Sequence, residues 1–153
     1  VEGNIVITGE YKGLRVVAQS SGLNFFLNYT TKEFVGKIDL KMLKTGVAFL
    51  DSLILTKKDS LWVNFSGTIP DDDFIAWDHP LLKLNVPITV NANNIQRQLV
   101  LIATIEHSKT SGTYACRLYG FAGLNISQFN FGIAGLNDSI NVQFDQVVLK
   151  RQN

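Results

Sequence analysis

Cysteine is nearly absent: Cys116 is the only one in 153 residues, so no intrachain disulfide forms and no thiolate metal cluster assembles. Cys116 sits in an alternating apolar run with Tyr114 and Leu118, the setting of a buried, inert thiol. A nucleophilic cysteine would need a partner histidine, and only His79 and His107 exist, each beside a turn. Those two histidines with Asp78 fall short of a zinc site unless the fold unites them; no metal and no cofactor is expected. Charge is sparse as well. Charged residues are 18% of the chain, and 14 Lys plus Arg against 13 Asp plus Glu leave a formal charge of +1. No basic field exists to gather nucleic acid or anionic lipid. No apolar run reaches the roughly 18 residues of a membrane helix, so no integral membrane segment is expected.

The motifs of familiar enzymes are missing too. The sequence has no Gly-rich phosphate loop leading into a helix, no paired cysteines, no His-Glu zinc pattern and no Gly-x-Ser-x-Gly elbow. The carboxylates Asp71, Asp72, Asp73 and Asp78 crowd into one stretch, a solvated corner and not a pair facing each other across a cleft. An enzyme is not expected. Trp62 and Trp77 invite comparison with a sugar-stacking platform, with structural burial the stronger reading. Four Asn-x-Ser/Thr triplets, at Asn28, Asn64, Asn125 and Asn137, permit glycosylation but arise easily in an Asn-rich chain. The chain starts at Val1 rather than Met, which fits a processed N-terminus and an exported protein.

What the chain does have is apolar residues, 46% of the total, arranged with a period of two. Leu23, Phe25, Leu27 and Tyr29 share one face of an extended run; Phe34, Ile38, Leu40 and Met42 share another. Leu61, Val63, Phe65 and Ile69 form a third, and Ile140, Val142 and Phe144 a fourth. Each pattern is that of a strand with one buried and one wet face. Further strands are expected at 5–9, 14–19, 47–56, 82–90, 99–106, 113–121 and 124–129. Turn signals separate them at Tyr11-Lys12-Gly13, Ser20-Ser21-Gly22, Lys57-Lys58-Asp59, 91–94, 109–112 and Leu136-Asn137-Asp138. Leu40, Leu43, Val47 and Leu50 would also line one face of a helix, but Gly46 and the β-branched Thr45 and Val47 favour strand–turn–strand. The clearest helical candidate, Phe74–Leu84, is interrupted by Pro80. Short connections leave no room for repeated β-α-β crossovers. The expectation is one all-β domain over 1–153, an antiparallel lipocalin-like barrel or a closed sandwich with at most one short helix.

The last third of the chain, Gly123–Phe144, carries an apolar strand, the corner Phe131-Gly132-Ile133, then Asp138 and the alternating run Ser139–Phe144. It resembles the closing strands of the YceI-like family. Upstream, Phe34–Leu40 looks like that family's early strand, and Thr45-Gly46 with Asp51-Ser52-Leu53 echo the region after it. The family's Arg-Asp-x-His-Leu stretch and its opening His-Ser are missing. The resemblance implies a lipocalin-like barrel in the periplasm or beyond, with a lumen for a long isoprenoid or fatty amide-like ligand.

Ten phenylalanines suit either an apolar lumen or a filled core, and periodicity alone does not separate the two. Phe25, Leu27, Phe65, Leu101 and Leu118, on four separate strands, are the candidate ligand-binding residues. The first functional expectation is binding or transport of an apolar, lipid-like small molecule. The second is a surface or adhesion-type β-sandwich that binds protein or glycan through its loops. Self-association into a homo-oligomer is compatible with either.

Overall fold

In the computed structural model the period-two runs become eight antiparallel strands that close into one barrel. The structure describes residues 3–28, 30–56, 62–70, 81–106 and 114–149, without the side chains of 53–56, 114–116 and 147–149. The strands are β1 (Gly3–Tyr11), β2 (Leu14–Leu27), β3 (Glu33–Asp39), β4 (Trp62–Thr68), β5 (Leu82–Ala92), β6 (Ile95–Glu106), β7 (Tyr114–Asn125) and β8 (Ser139–Leu149). Each pairs with its neighbour in sequence, and β1 also pairs with β8, Ile5 opposite Phe144 and Ile7 opposite Val142. This closure removes both sheet edges and decides for the barrel over the sandwich.

Strict up-and-down order sorts the connections onto two ends. One end, here the upper, holds the hairpins after β1 and β5 and the longer connections after β3 and β7. Both hairpins turn on two residues of positive φ, Lys12 (49°) with Gly13 (80°) and Asn93 (53°) with Asn94 (61°). That is the turn whose twist matches the strands it joins.

Four expected elements differ. Ser20-Ser21-Gly22 is not a turn: β2 runs through it, with Gly3 opposite Leu23 and Ile5 opposite Ser20, so β2 carries one extra residue there. The turn-forming residues make a bulge, fixed by the Gly22 amide donating to Ser20 Oγ at 3.0 Å, and the strand bends from β1 onto β3. The run from Phe34 ends as a strand at Asp39, whose carboxylate accepts from the Lys41 amide at 3.0 Å and caps a 3₁₀ turn over Leu40–Met42. Val47–Thr56 is not a strand but a helix, α1 (Ala48–Thr56). Local hydrogen bonding overrides β propensity here: Asp51 accepts from both the amide (2.8 Å) and the hydroxyl (2.7 Å) of Thr45. Leu124–Phe129 is likewise not a separate strand; β7 runs to Asn125, and Ile126–Phe129 form a 3₁₀ turn stopped by Asn130 in the left-handed region. Of the candidate helix Phe74–Leu84, residues 74–80 lie outside the described residues, and Leu82–Leu84 belong to β5.

Candidate functional site: an apolar chamber in the upper barrel

Alternation along the strands sends one side-chain set into the barrel, where four phenylalanines meet. Phe25 on β2 stacks on Phe34 of β3 with centroids 5.7 Å apart, and lies 6.4 Å from Phe65 of β4 and 6.1 Å from Phe144 of β8. Phe65 and Phe144 are 5.6 Å apart. Rings of this size fit because two neighbours are glycines. Gly36 is the direct partner of Phe65 and Gly120 of Phe144, and a Cβ at either position would overlap the ring beside it. Below this layer lie the buried side chains of Leu27, Ile69, Val86, Ile105 and Leu118.

Above it lies a cavity of about 230 Å³ whose lining residues are all apolar. Phe65 and Phe144 form its floor. Ile7, Val63, Leu99, Leu101 and Val142 supply walls, and Leu40 and Leu43, after β3, close one side. The connection after β7 folds over the top, turning Ile126, Phe129, Phe131, Ile133 and Leu136 into the chamber. This roof is tied to both upper hairpins. The Lys12 amide donates to the Gly135 carbonyl and the Asn137 amide to the Glu10 carbonyl, each at 2.8 Å. Asn93 Nδ2 donates to the Phe129 carbonyl at 3.0 Å. The roof's two ends are pinned together by Asp138, which accepts from the Ser127 amide (2.7 Å) and hydroxyl (2.8 Å).

Among the described residues no polar side chain lines the chamber. The ionisable groups with displaced pKa values, again among the described residues, stand outside it. Hydrogen bonds from Thr45 hold the Asp51 carboxyl below its ordinary value. Arg117, hydrogen-bonded by Asp145 at 3.0 and 2.6 Å on the outer wall, is raised. Among the described residues no three His, Cys, Asp or Glu side chains gather as metal ligands.

Of the five residues singled out from sequence, Phe65 and Leu101 line the chamber. Phe25 packs in the floor against Phe65, while Leu27 and Leu118 are buried outside the lining. His79, His107, Trp77, Asp71–Asp73 and Asp78 lie outside the described residues, as does the side chain of Cys116. Trp62 is 39% exposed, and its ring carries the Lys37 ammonium 4.2 Å from the centroid, so a cation occupies one of its stacking faces. Sequence reasoning did not assign the roof to the site. Its signal was present in the apolar alternation of Phe129, Phe131 and Ile133, which a strand and a lid share.

Solved structures superpose on this barrel over nearly its full length. A polyisoprenoid-binding domain from Saccharophagus degradans, implicated in plant cell wall breakdown, matches at a TM-score of 0.71 and 11% identity, covering 94% of this chain and 91% of that one. BcnA of Burkholderia cenocepacia matches at 0.74 and 13%, covering 95% and 96%. The Campylobacter jejuni YceI protein matches at 0.64 and 14%, covering 86% and 81%. The barrel has the YceI fold. No family model and no curated protein matches the sequence. The resemblance read from Gly123–Phe144 therefore holds at the level of the YceI fold, with Phe131 and Ile133 in the roof, Asp138 as its pin and Ser139–Phe144 as the closing strand.

Proposed function

We propose that this protein binds an apolar, chain-like molecule, isoprenoid or fatty-acyl in character, in the upper half of its barrel, and acts as a binding or transfer protein without catalysis. The observation that carries this reading is the wholly apolar lining of an internal chamber between a phenylalanine floor and a pinned roof. A lining without polar groups recognises a ligand by shape and by exclusion from water. Burial of about 300 Å² of chain surface at roughly 25 cal/mol per Å² contributes about 7 kcal/mol, so the affinity ceiling is on the micromolar scale. At about 230 Å³ the chamber falls below the usual ~300–1,000 Å³ of small-molecule sites. It suits a chain segment better than a fused ring system. The S. degradans neighbour is a polyisoprenoid-binding domain, which favours the same ligand class.

Titration with fluorescent fatty-acyl and isoprenoid probes tests the proposal. Saturable uptake at one probe per chain is expected. Ala122→Phe, which fills the chamber from a lining position, should abolish uptake while the β circular dichroism persists. Absence of saturable uptake of any such probe by the wild-type protein would overturn the reading.

A further inference from the structure

The connection from β3 to β4 is apolar on two faces. Inward, Leu40 and Leu43 line the chamber and Leu50 is 4% exposed. Outward, Met42, Val47 and Phe49 stand 49%, 44% and 59% exposed. The outward set is held in place. Lys44 exchanges two backbone hydrogen bonds with Gln19 of β2, at 2.9 and 3.0 Å. Beyond it Gly46 turns the chain at φ 77°. The Thr45 hydroxyl accepts from the Val47 amide at 3.0 Å while Asp51 holds Thr45. The arch thus carries three large, partly exposed apolar side chains beside the wall of an apolar chamber, with Met42 lying over Gly22 of β2.

Exposed apolar side chains gathered on one short connection mark a contact surface, and the composition of the connection selects the partner. A stable protein interface buries about 1,200–2,000 Å² around a close-packed centre, more than three side chains on one arch supply. Insertion into the acyl boundary of a bilayer needs only a few apolar side chains flanked by long cations that reach back to the headgroups. Lys41 and Lys44 flank the cluster and are exposed. The carboxylates of the same stretch, Asp39 and Asp51, accept hydrogen bonds from the chain's own Lys41 and Thr45. The geometry points to the arch around Met42, Val47 and Phe49 as a docking surface for a lipid bilayer, across which the ligand passes between membrane and chamber. This rests on the apolar-ligand reading, since an apolar chain resides in membranes and not in water.

The test pairs two measurements on the wild type and on a Val47→Ser/Phe49→Ser variant, with an unchanged unfolding midpoint as the control for fold. In flotation with phosphatidylcholine vesicles the wild type should rise with the lipid and the variant should partition at least about tenfold more weakly. In transfer of a fluorescent fatty-acyl probe from donor vesicles, the wild-type rate should climb with vesicle concentration. The variant should be slower by about tenfold while its affinity for probe added from ethanol is unchanged. Equal flotation of the two proteins, or a wild type that does not float, overturns the docking surface. Flotation lost in the variant without probe uptake by either protein supports the docking surface and overturns the chamber reading instead.

Discussion

The ring of Phe65 lies across the backbone of Gly36, its direct partner on the adjacent strand, in the space a Cβ would occupy. The floor of the chamber depends on that vacancy. Gly36 sits in the extended register of β3 with no positive φ, so alanine meets no backbone strain there and would gain about 0.4–1 kcal/mol through the unfolded chain. Displacing a packed ring costs more, about 1–3 kcal/mol. Gly36→Ala should therefore destabilise the protein by a net of roughly 1–2 kcal/mol in urea unfolding. Phe65→Leu in the same chain should restore part of the loss. A Gly36→Ala protein as stable as the wild type would show that the ring does not rest on this strand.

Phe65 also sets the depth of the chamber, because its ring lines the floor above the buried side chains of the lower barrel. Phe65→Leu keeps the floor apolar and removes ring volume, at a cost of about 1–2 kcal/mol. The variant should accept acyl probes longer than the wild type's limit and hold short ones more weakly. A length profile identical to that of the wild type would place the ligand elsewhere. The milder substitution is the informative one, since an unpaired charge at this buried position would unfold the barrel and imitate a loss of binding.

The strands were legible because burial on one face imposes a period of two. Phe25, Phe65, Leu101 and Leu118 all turn inward, as their alternation predicts. What was not legible depended on partners that sequence order does not reveal. Whether inward residues enclose a space or fill one depends on Gly36 and Gly120 lying opposite Phe65 and Phe144, a matter of register. Ser20-Ser21-Gly22 has the composition of a turn, but only the position of β1 decides between turn and bulge. Thr45 and Val47 favour strand by propensity, yet one carboxylate, Asp51, satisfies Thr45 twice and helps the following helix to start. The roof alternates like a strand, and it becomes a lid because Asp138 closes it before β8 begins.

Asp51 makes the arch sensitive to acid. Hydrogen bonds from the Thr45 amide and hydroxyl lower its pKa. The sign follows from linkage. A carboxyl bound more tightly in its charged form stabilises the fold above its unfolded pKa, near 3.9. That contribution is lost as the pH falls through the lower folded value. Hydrogen exchange at the Thr45 and Val47 amides should stay protected at neutral and mildly acidic pH and open only below the ordinary carboxylate range. Asp51→Ala should open the same amides at neutral pH while β3 and β4 remain protected. Equal protection in the variant would show that another contact shapes the arch.

Asp138 gives the sharpest separation between stability and ligand retention. Its carboxylate takes two hydrogen bonds from Ser127, at 2.7 and 2.8 Å, across a loop whose apolar side chains roof the chamber. Both ends of this contact are exposed, so water replaces much of what is lost. Asp138→Ala should cost only about 1–2 kcal/mol in global stability. Locally the effect is larger, because the variant leaves the two ends of the roof joined by one backbone hydrogen bond, from the Ile126 amide to the Asp138 carbonyl at 2.9 Å. The ties at Glu10, Lys12 and Asn93 hold the roof to the hairpins and not its ends to each other. The variant should therefore release a bound acyl probe faster by about tenfold, with a smaller change in the rate of uptake. Ser127→Ala removes only the hydroxyl bond and should give an intermediate release rate. The Ser127→Ala/Asp138→Ala pair should be no worse than Asp138→Ala alone, since the two residues act through one contact. Release rates that add across the pair would show that Asp138 holds the roof by some route other than Ser127.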